Sequence, residues 1–400
     1  MKLSSSIFRR LQSSHRPWST EVEAEGKKQA RVCAHNNLLI CLPDDVLFKI
    51  LLSLSAEDIH RASLVSRRLY YETTRSEEFV NLHLQQQTDE YGLFFRYAAT
   101  YNYQHPSQRA VFVSMKQGRV TVSNYYAYKF RYMLETSCNG LILEYEPLLQ
   151  LHVVNPVTGR PFQLPPLPKN AECISCCVGY ADASSKAYKV VLAYRTDRES
   201  DVCQAILTLG VDKSWRHLET DQYLTESTLS RLMVTEGFIH LIFGDTVLTL
   251  NVETEVMMET RAPIFSKNPS KFTSWWYLST GKSLTLVVEV EHQVFQVWEM
   301  VRGDYNCYWR EWERQIELRS EIQYLRSIEP VGWLQQMEVL VLKVSSRNKF
   351  CLIYYVVIAT GKIGWIDPTS SNKEWLAGEL YMILDEVFPH KNTFVNPFTI

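Results

Sequence analysis

Cys173, Cys176 and Cys177, in the stretch CISCC, come nearest to a chemical motif in this chain. Two thiolates separated by two residues are half of a zinc site, and the other half must be a second pair of cysteines or histidines at ligand spacing. No such pair follows: Cys33, Cys41, Cys138, Cys203, Cys307 and Cys351 are scattered, and the total of nine is odd. The pattern reads as thiols in a β-rich core of a reducing compartment. The ten histidines are dispersed, and His217 and His240 fall in strand-like contexts that suit packing or surface roles. The charged run REWER, Arg310 to Arg314, fits the solvated edge of a strand. There is no G-x-S-x-G, H-E-x-x-H, P-loop or G-x-G-x-x-G. No catalytic residue, metal or cofactor is assigned, and the function has to be sought in surfaces.

Four hundred residues allow two or three domains, or one small module with one large one. A net charge of −2 provides no basic field for nucleic acid, and no apolar run reaches the ~18 residues of a membrane span. Residues 1–40 read as a disordered tail. Its first twenty residues carry Lys2, Arg9, Arg10 and Arg16, several serines and no acid, a faint likeness to an organelle-targeting segment. The expected location is nevertheless the nucleus or cytoplasm.

The stretch LPDDVLFKILLSLSAEDIHRASLVSRRLYYE, Leu42 to Glu72, is helical in pattern. Pro43 suits a helix start, and Asp44 and Asp45 suit the positive end of the helix dipole. Seven of the twelve residues from Pro43 to Leu54 are apolar, so this helix has to be covered on more than one side. SAED, Ser55 to Asp58, is a capping pattern that starts a second helix at Ala56, with Ile59, Ala62, Leu64, Val65 and Leu69 as the inward face of that helix and its continuation. SEEF, Ser76 to Phe79, starts a third short piece. About forty residues bury too little surface to be comfortable alone. The second side of the first helix is met either by the rest of this chain or by a helical partner protein reading Val46, Ile50 and Leu54.

Leu42 to Glu72 resembles an F-box, the motif that docks on the Skp-type adaptor of cullin-based ubiquitin ligases. The opening LPDD, the Ile50-Leu51 pair, Leu54 and LVSRR at Leu64 to Arg68 carry the likeness without gaps. Ser55 replaces a frequent Pro, Leu69 a usual Trp, and Ala62 a larger residue. The resemblance implies that Leu42, Pro43, Val46, Leu47, Ile50, Leu51, Leu54, Ile59, Leu64 and Val65 pack within the motif or against the adaptor.

After about residue 90 the period changes from helical to alternating. Runs such as GLILEY, LQLHVVN, YKVVLAY, FIHLIF, TVLTLNV, HQVFQVWEM, EVLVLKV and CLIYYVV are rich in Val, Ile, Tyr and Phe, and no helical segments separate them as a parallel fold requires. Strand–turn–strand units recur at VVNPVTGRPFQLP, TLGVDKSWRHLE, TLNVETEVMME and YVVIATGKIGWI, with a longer-looped version from Val297. Their landmarks Asn155, Gly210, Asn251, Glu299 and Val357 lie 55, 41, 48 and 58 residues apart, close to the ~40–50 of a propeller blade. With a first blade around Ala110 to Arg131, about six blades result. The kelch double glycine and the Trp-Asp of WD repeats are absent. Trp215, Trp298, Trp309 and Trp365 read as packing residues at equivalent blade positions, and Trp275 and Trp276 as exposed on a loop after SKNPSKFTS.

SCNGLILEY from Ser137, VNPVTGRPFQLPPLP from Val154, GYADASSKAYKVV from Gly179 and KSWRHLE from Lys213 resemble the F-box-associated, kelch-related domain of plant F-box proteins. The expected architecture is a tail (1–40), a three-helix F-box (41–84) and a mostly β, six-bladed propeller-like domain (88–400). The resemblance implies a non-catalytic receptor subunit of an SCF-type ubiquitin ligase, bound through the Skp adaptor to a cullin and recruiting an unknown protein target. The alternatives are a propeller binding module whose F-box is degenerate and acts outside a ligase, and a propeller enzyme.

Overall fold

The computed structural model describes residues 42–393 apart from 75, 87–90, 100–108, 117, 125–132, 147–149, 182–186, 197–201, 219–228, 264–273, 304–305, 319–326, 346–350, 367–381 and 392. The tail, its basic segment, Cys33 and Cys41, the stretch 125–131 of the expected first blade and most of SKNPSKFTS lie outside the described residues. The chain divides after Leu51 into two compact units. No described helix is long and apolar enough to cross a membrane.

Helix α1, Asp44–Leu52, carries both aspartates in its first turn. The Pro43 carbonyl accepts from the Leu47 N–H at 3.0 Å, so Pro43 caps the helix one residue before the place read from the sequence. Helix α2, Ala56–Val65, starts where the SAED pattern put it: the Ser55 hydroxyl accepts from the Asp58 N–H at 3.2 Å and donates to Asp58 Oδ2 at 2.8 Å. Ser66 is extended and ends α2, and its hydroxyl accepts from the Leu69 N–H to start α3, Arg67–Thr74. What reads as one helix with a continuation is therefore two. The buried stripe of α2 is Ala56, Ile59 and Ser63. Leu64 and Val65 do not belong to it. They lie one and two residues past Ser63, about 100° and 200° further round the helix, and are 73% and 69% exposed. Helix α4, Glu77–Gln86, begins at the SEEF cap, with the Ser76 hydroxyl accepting from the Phe79 N–H. Its Phe79 is fully buried and stacks on His83, which bonds the Leu54 carbonyl oxygen at 3.0 Å.

The strands form six antiparallel sheets. Blade one is built from β1 (Tyr91–Ala99), β2 (Arg109–Lys116), β3 (Arg119–Asn124) and, from the far end of the chain, β25 (Met382–Lys391). Blade two is β4 (Met133–Cys138), β5 (Leu141–Glu146), β6 (Gln150–Asn155) and β7 (Arg160–Gln163). Blade three is β8 (Ala171–Tyr180), β9 (Tyr188–Thr196), β10 (Cys203–Thr208) and β11 (Arg216–His217). Blade four is β12 (Leu229–Thr235), β13 (Phe238–Phe243), β14 (Thr246–Asn251) and β15 (Met257–Arg261). Blade five is β16 (Ser274–Ser279), β17 (Leu284–Glu291), β18 (Val294–Arg302), β19 (Cys307–Glu311) and the short β20 (Ile316–Glu317), which also pairs with β18. Blade six is β21 (Ser327–Leu334), β22 (Val339–Ser345), β23 (Cys351–Val357) and β24 (Lys362–Ile366).

The first strands β4, β8, β12, β16 and β21, together with β25, contact one another in sequence around an axis and complete a ring. The ring is closed by β25, which pairs with β1 from Tyr91↔Lys391 to Ala99↔Met382. The expected first blade thus supplies only the outer half of its sheet from the region after Ala110. Its inner half comes from Tyr91–Ala99 and the C-terminal strand. Val190, Val191, Leu340 and Val341 are fully buried, as expected of core strands, but they lie on the second strands β9 and β22 rather than the innermost ones. Apolar side chains fill the blade interfaces, for example Leu143, Val153, Val178 and Val190 between blades two and three. Between blades one and two the packing is aromatic and polar instead: Phe94 stacks on Phe388 at 5.2 Å, and His390 Nδ1 lies 2.6 Å from the Ser137 hydroxyl.

Candidate protein-docking surfaces

The ten residues singled out in the helical module separate by exposure. Leu47, Leu51 and Ile59 are buried at 3% exposure or less and hold their helices in place. Leu42, Ile50 and Leu54 are half-buried. Pro43, Val46, Leu64 and Val65 face solvent. Tyr71 on α3, 60% exposed and edge-on to Tyr70, adds an aromatic that the sequence pattern did not single out. Leu69, in the place of the usual Trp, is 4% exposed and packs inward.

On the ring, α4 lies at the end of the channel where the inner strands finish. Its Val80 and Leu84 pack on the apolar cluster shared by blades two and three. Tyr91, just beyond α4 in the chain, puts its ring over Gly281 in the β16–β17 turn, where a Cβ would stand 2.5 Å from ring carbons. That end of the channel contains a cavity of about 130 Å³ lined by Tyr91, Tyr180, Lys282 and Lys391 among others. Trp275 marks the other end. It is not on a loop, as expected, but is the second residue of inner strand β16, and it is 42% exposed. Trp276 is half-buried against the cluster between blades five and six. The four other tryptophans are not equivalent: Trp298 is buried on a third strand, Trp215 and Trp309 are half-buried, and Trp365 is 61% exposed on an outer strand. Alternation along an outermost strand has no blade beyond it to bury the second face, which is why Trp365 stands out.

Burial sets the state of several cysteines and of His240. Cys176 and Cys177 are fully buried on inner strand β8, and burial pushes both thiols well above their ordinary pKa; Cys138 is pushed up to about 12 by the same cause. His240 sits between the hydroxyls of Thr235 (2.9 Å) and Thr249 (3.0 Å), and burial lowers its pKa to about 3. His217 is exposed on β11. Among the described residues no group of three His, Cys, Asp or Glu is placed to hold a metal ion. In REWER, Arg310 and Glu311 lie exposed on the outermost strand β19, with Arg310 2.6 Å from Glu299. Glu311, Glu313 and Arg314 line an open groove of about 780 Å³ facing Val356 to Gly361 of blade six.

Residues 82–360 match the family described as F-box associated beta propeller domain. The chain belongs to this family. A second match, to the F-box domain, covers residues 39–76, so α1, α2 and α3 lie within the F-box and α4 begins as it ends. The family match begins in α4, well before the likeness read from Ser137 onward. Solved structures are similar to the chain in strand outline. One is an oligogalacturonate lyase from Vibrio parahaemolyticus (6% identity, 71% of this chain and 76% of that one, TM-score 0.40). Another is the β-propeller domain of Cps50 (Swd1) from Myceliophteria thermophila (10% identity, 68% and 84%, TM-score 0.37). Likenesses of this size carry no functional information. A search of curated proteins found no match.

Proposed function

We propose that this F-box propeller protein is the target-recruiting subunit of an SCF-type ubiquitin ligase of the nucleus or cytoplasm. The F-box docks on the Skp adaptor and, through it, on a cullin, and the propeller holds a protein target. The observation that carries this reading is the joining of an F-box, with Val46, Leu64 and Val65 turned to solvent, to a closed ring belonging to the F-box-associated family. In this reading the chain supplies no reacting group. It supplies proximity, converting an encounter between a charged enzyme and a target lysine into a reaction within one complex.

The end of the channel beside α4 is lined by the chain's own Leu84 and Tyr91, and the target is assigned to the other end. Trp275 is an exposed aromatic among the described residues there, and aromatic anchors carry much of the energy of protein contacts. Affinity purification with mass spectrometry, with and without proteasome inhibition, tests the reading. Skp and cullin peptides are expected in both samples, and targets are expected to accumulate under inhibition. A Trp275→Ala variant is expected to keep the adaptor and lose targets. Targets retained in full on that variant place the contact elsewhere.

A further inference from the structure

The C-terminal strand touches more than the ring. Lys391, its last residue, pairs in register with Tyr91 at the start of β1. Its side chain turns to the helical arm: Nζ donates to the Leu84 carbonyl oxygen at 2.7 Å and lies 5.8 Å from the centre of the Tyr91 ring. Leu84 is in the last turn of α4, where carbonyls lack intrahelical donors and the dipole presents negative charge. Lys391 is 5% exposed, so this is a charge-assisted bond shielded from water. Two residues on, the Thr393 hydroxyl donates to the Asn139 carbonyl oxygen at 2.6 Å, and the Thr393 carbonyl accepts from Asn155 Nδ2 at 2.9 Å. The segment that closes the ring therefore also grips the end of the helix leading from the F-box and the turns of blade two beneath it.

We propose that β25 is a latch, whose pairing with β1 closes the ring and whose Lys391 then fixes α4, so that seating of α4 on the ring is conditional on ring closure. The order comes from the contacts. Among the described residues α4 meets the ring through apolar side chains such as Val80 and Leu84 and through this bond to its last turn, whereas β25 is held along its whole length by β1. The consequence for target positioning rests on the ligase reading, but the latch does not.

Hydrogen exchange on the full-length chain tests it. Lys391→Met keeps most of the stem and removes the charge. Amides of Asn81 to Gln86 are expected to exchange about tenfold faster or more, the scale of one hydrogen bond to a charged group, while β9 and β13 and the β-type melt stay unchanged. Lys391→Arg is expected to restore most of the protection. Leu84→Ala is expected to loosen α4 without loosening β25. The latch is overturned if α4 keeps its protection in Lys391→Met, since the apolar contacts then suffice. It is equally overturned if Lys391→Met loosens the whole ring, or if Leu84→Ala loosens β25 as much as α4.

Discussion

Glu255 joins two blades with one side chain. It sits in the β14–β15 turn of blade four with φ +57°, a conformation that usually favours glycine, and accepts from Arg216 Nη2 at 2.8 Å and Nη1 at 3.0 Å, and from Lys189 Nζ at 2.8 Å, both of blade three. The Arg216 bonds, followed by those of Lys189, hold its carboxyl at about 2, below the ordinary carboxylate range. A depressed acid stabilises the fold above its unfolded pKa of ~4.3 and loses that contribution as pH falls toward 2. Glu255→Gln is expected to cost about 1–2 kcal/mol at pH 7, discounted for partial exposure. Melts against pH are expected to show the gap to wild type closing between pH ~4.3 and 2. Asn155 makes a second residue-scale case. The NPVTG turn is legible because Asn accepts from its own backbone two residues on, as Asn155 Oδ1 does from Val157 N–H at 2.9 Å. Its fully buried Nδ2 bond to Thr393 is invisible in sequence, because 238 residues separate the partners. Asn155→Ala is expected to destabilise by about 1–3 kcal/mol, since it strands buried polar groups. Asn251→Ala, whose acceptor Oδ1 serves N–H groups at the surface, is expected to cost less in the same denaturant titration.

At the scale of elements, the runs legible in sequence are the second and third strands of the blades, buried on both faces and rich in Val, Ile and Leu. The inner strands escaped because five of the six break their alternation. Register shifts fall at Leu134/Thr136, Cys173/Ser175, Leu229/Arg231, Pro330/Gly332 and, seen from β1, Arg96/Tyr97 opposite β25. A bulge adds one residue and flips the parity of every residue beyond it. Cys173 and Cys176 show it: three apart, they pack against the same cluster of blades two and three. The C-x-x-C is thus a product of strand geometry rather than half of a metal site. Helix legibility has a similar limit. The caps at Ser55 and Ser76 set the helix starts, but the buried stripe of α2 runs through Ala56, Ile59 and Ser63 and leaves Leu64 and Val65 turned outward. Leu64→Asp with Val65→Asp is therefore expected to leave the helical circular dichroism intact and to weaken adaptor binding at least tenfold in a titration. Ile59→Asp, at a fully buried position, is expected to unfold the helices themselves.

The whole molecule depends on a contact between its two ends. Closure covers β1, which would otherwise be the bare inner edge of blade one, and the strand that performs it begins 283 residues after its partner ends, so local pattern could give the number of blades but not the strand that seals them. Removing residues 382–400 exposes β1 and strips Phe388 and His390 from the interface between blades one and two. Limited proteolysis is expected to cut well beyond blade one in that variant, because each blade is stabilised by both neighbours. Protection retained by blades two to six would favour an open array. The central claim is that this ring is carried to a ligase by its F-box, and it is tested most directly by titrating purified Skp adaptor against the full chain and against Ile50→Glu. The account predicts saturable binding to the wild type, its loss in Ile50→Glu, and the same β-type melt for both proteins. Absence of binding by the folded wild type, or undiminished binding by Ile50→Glu, would contradict it.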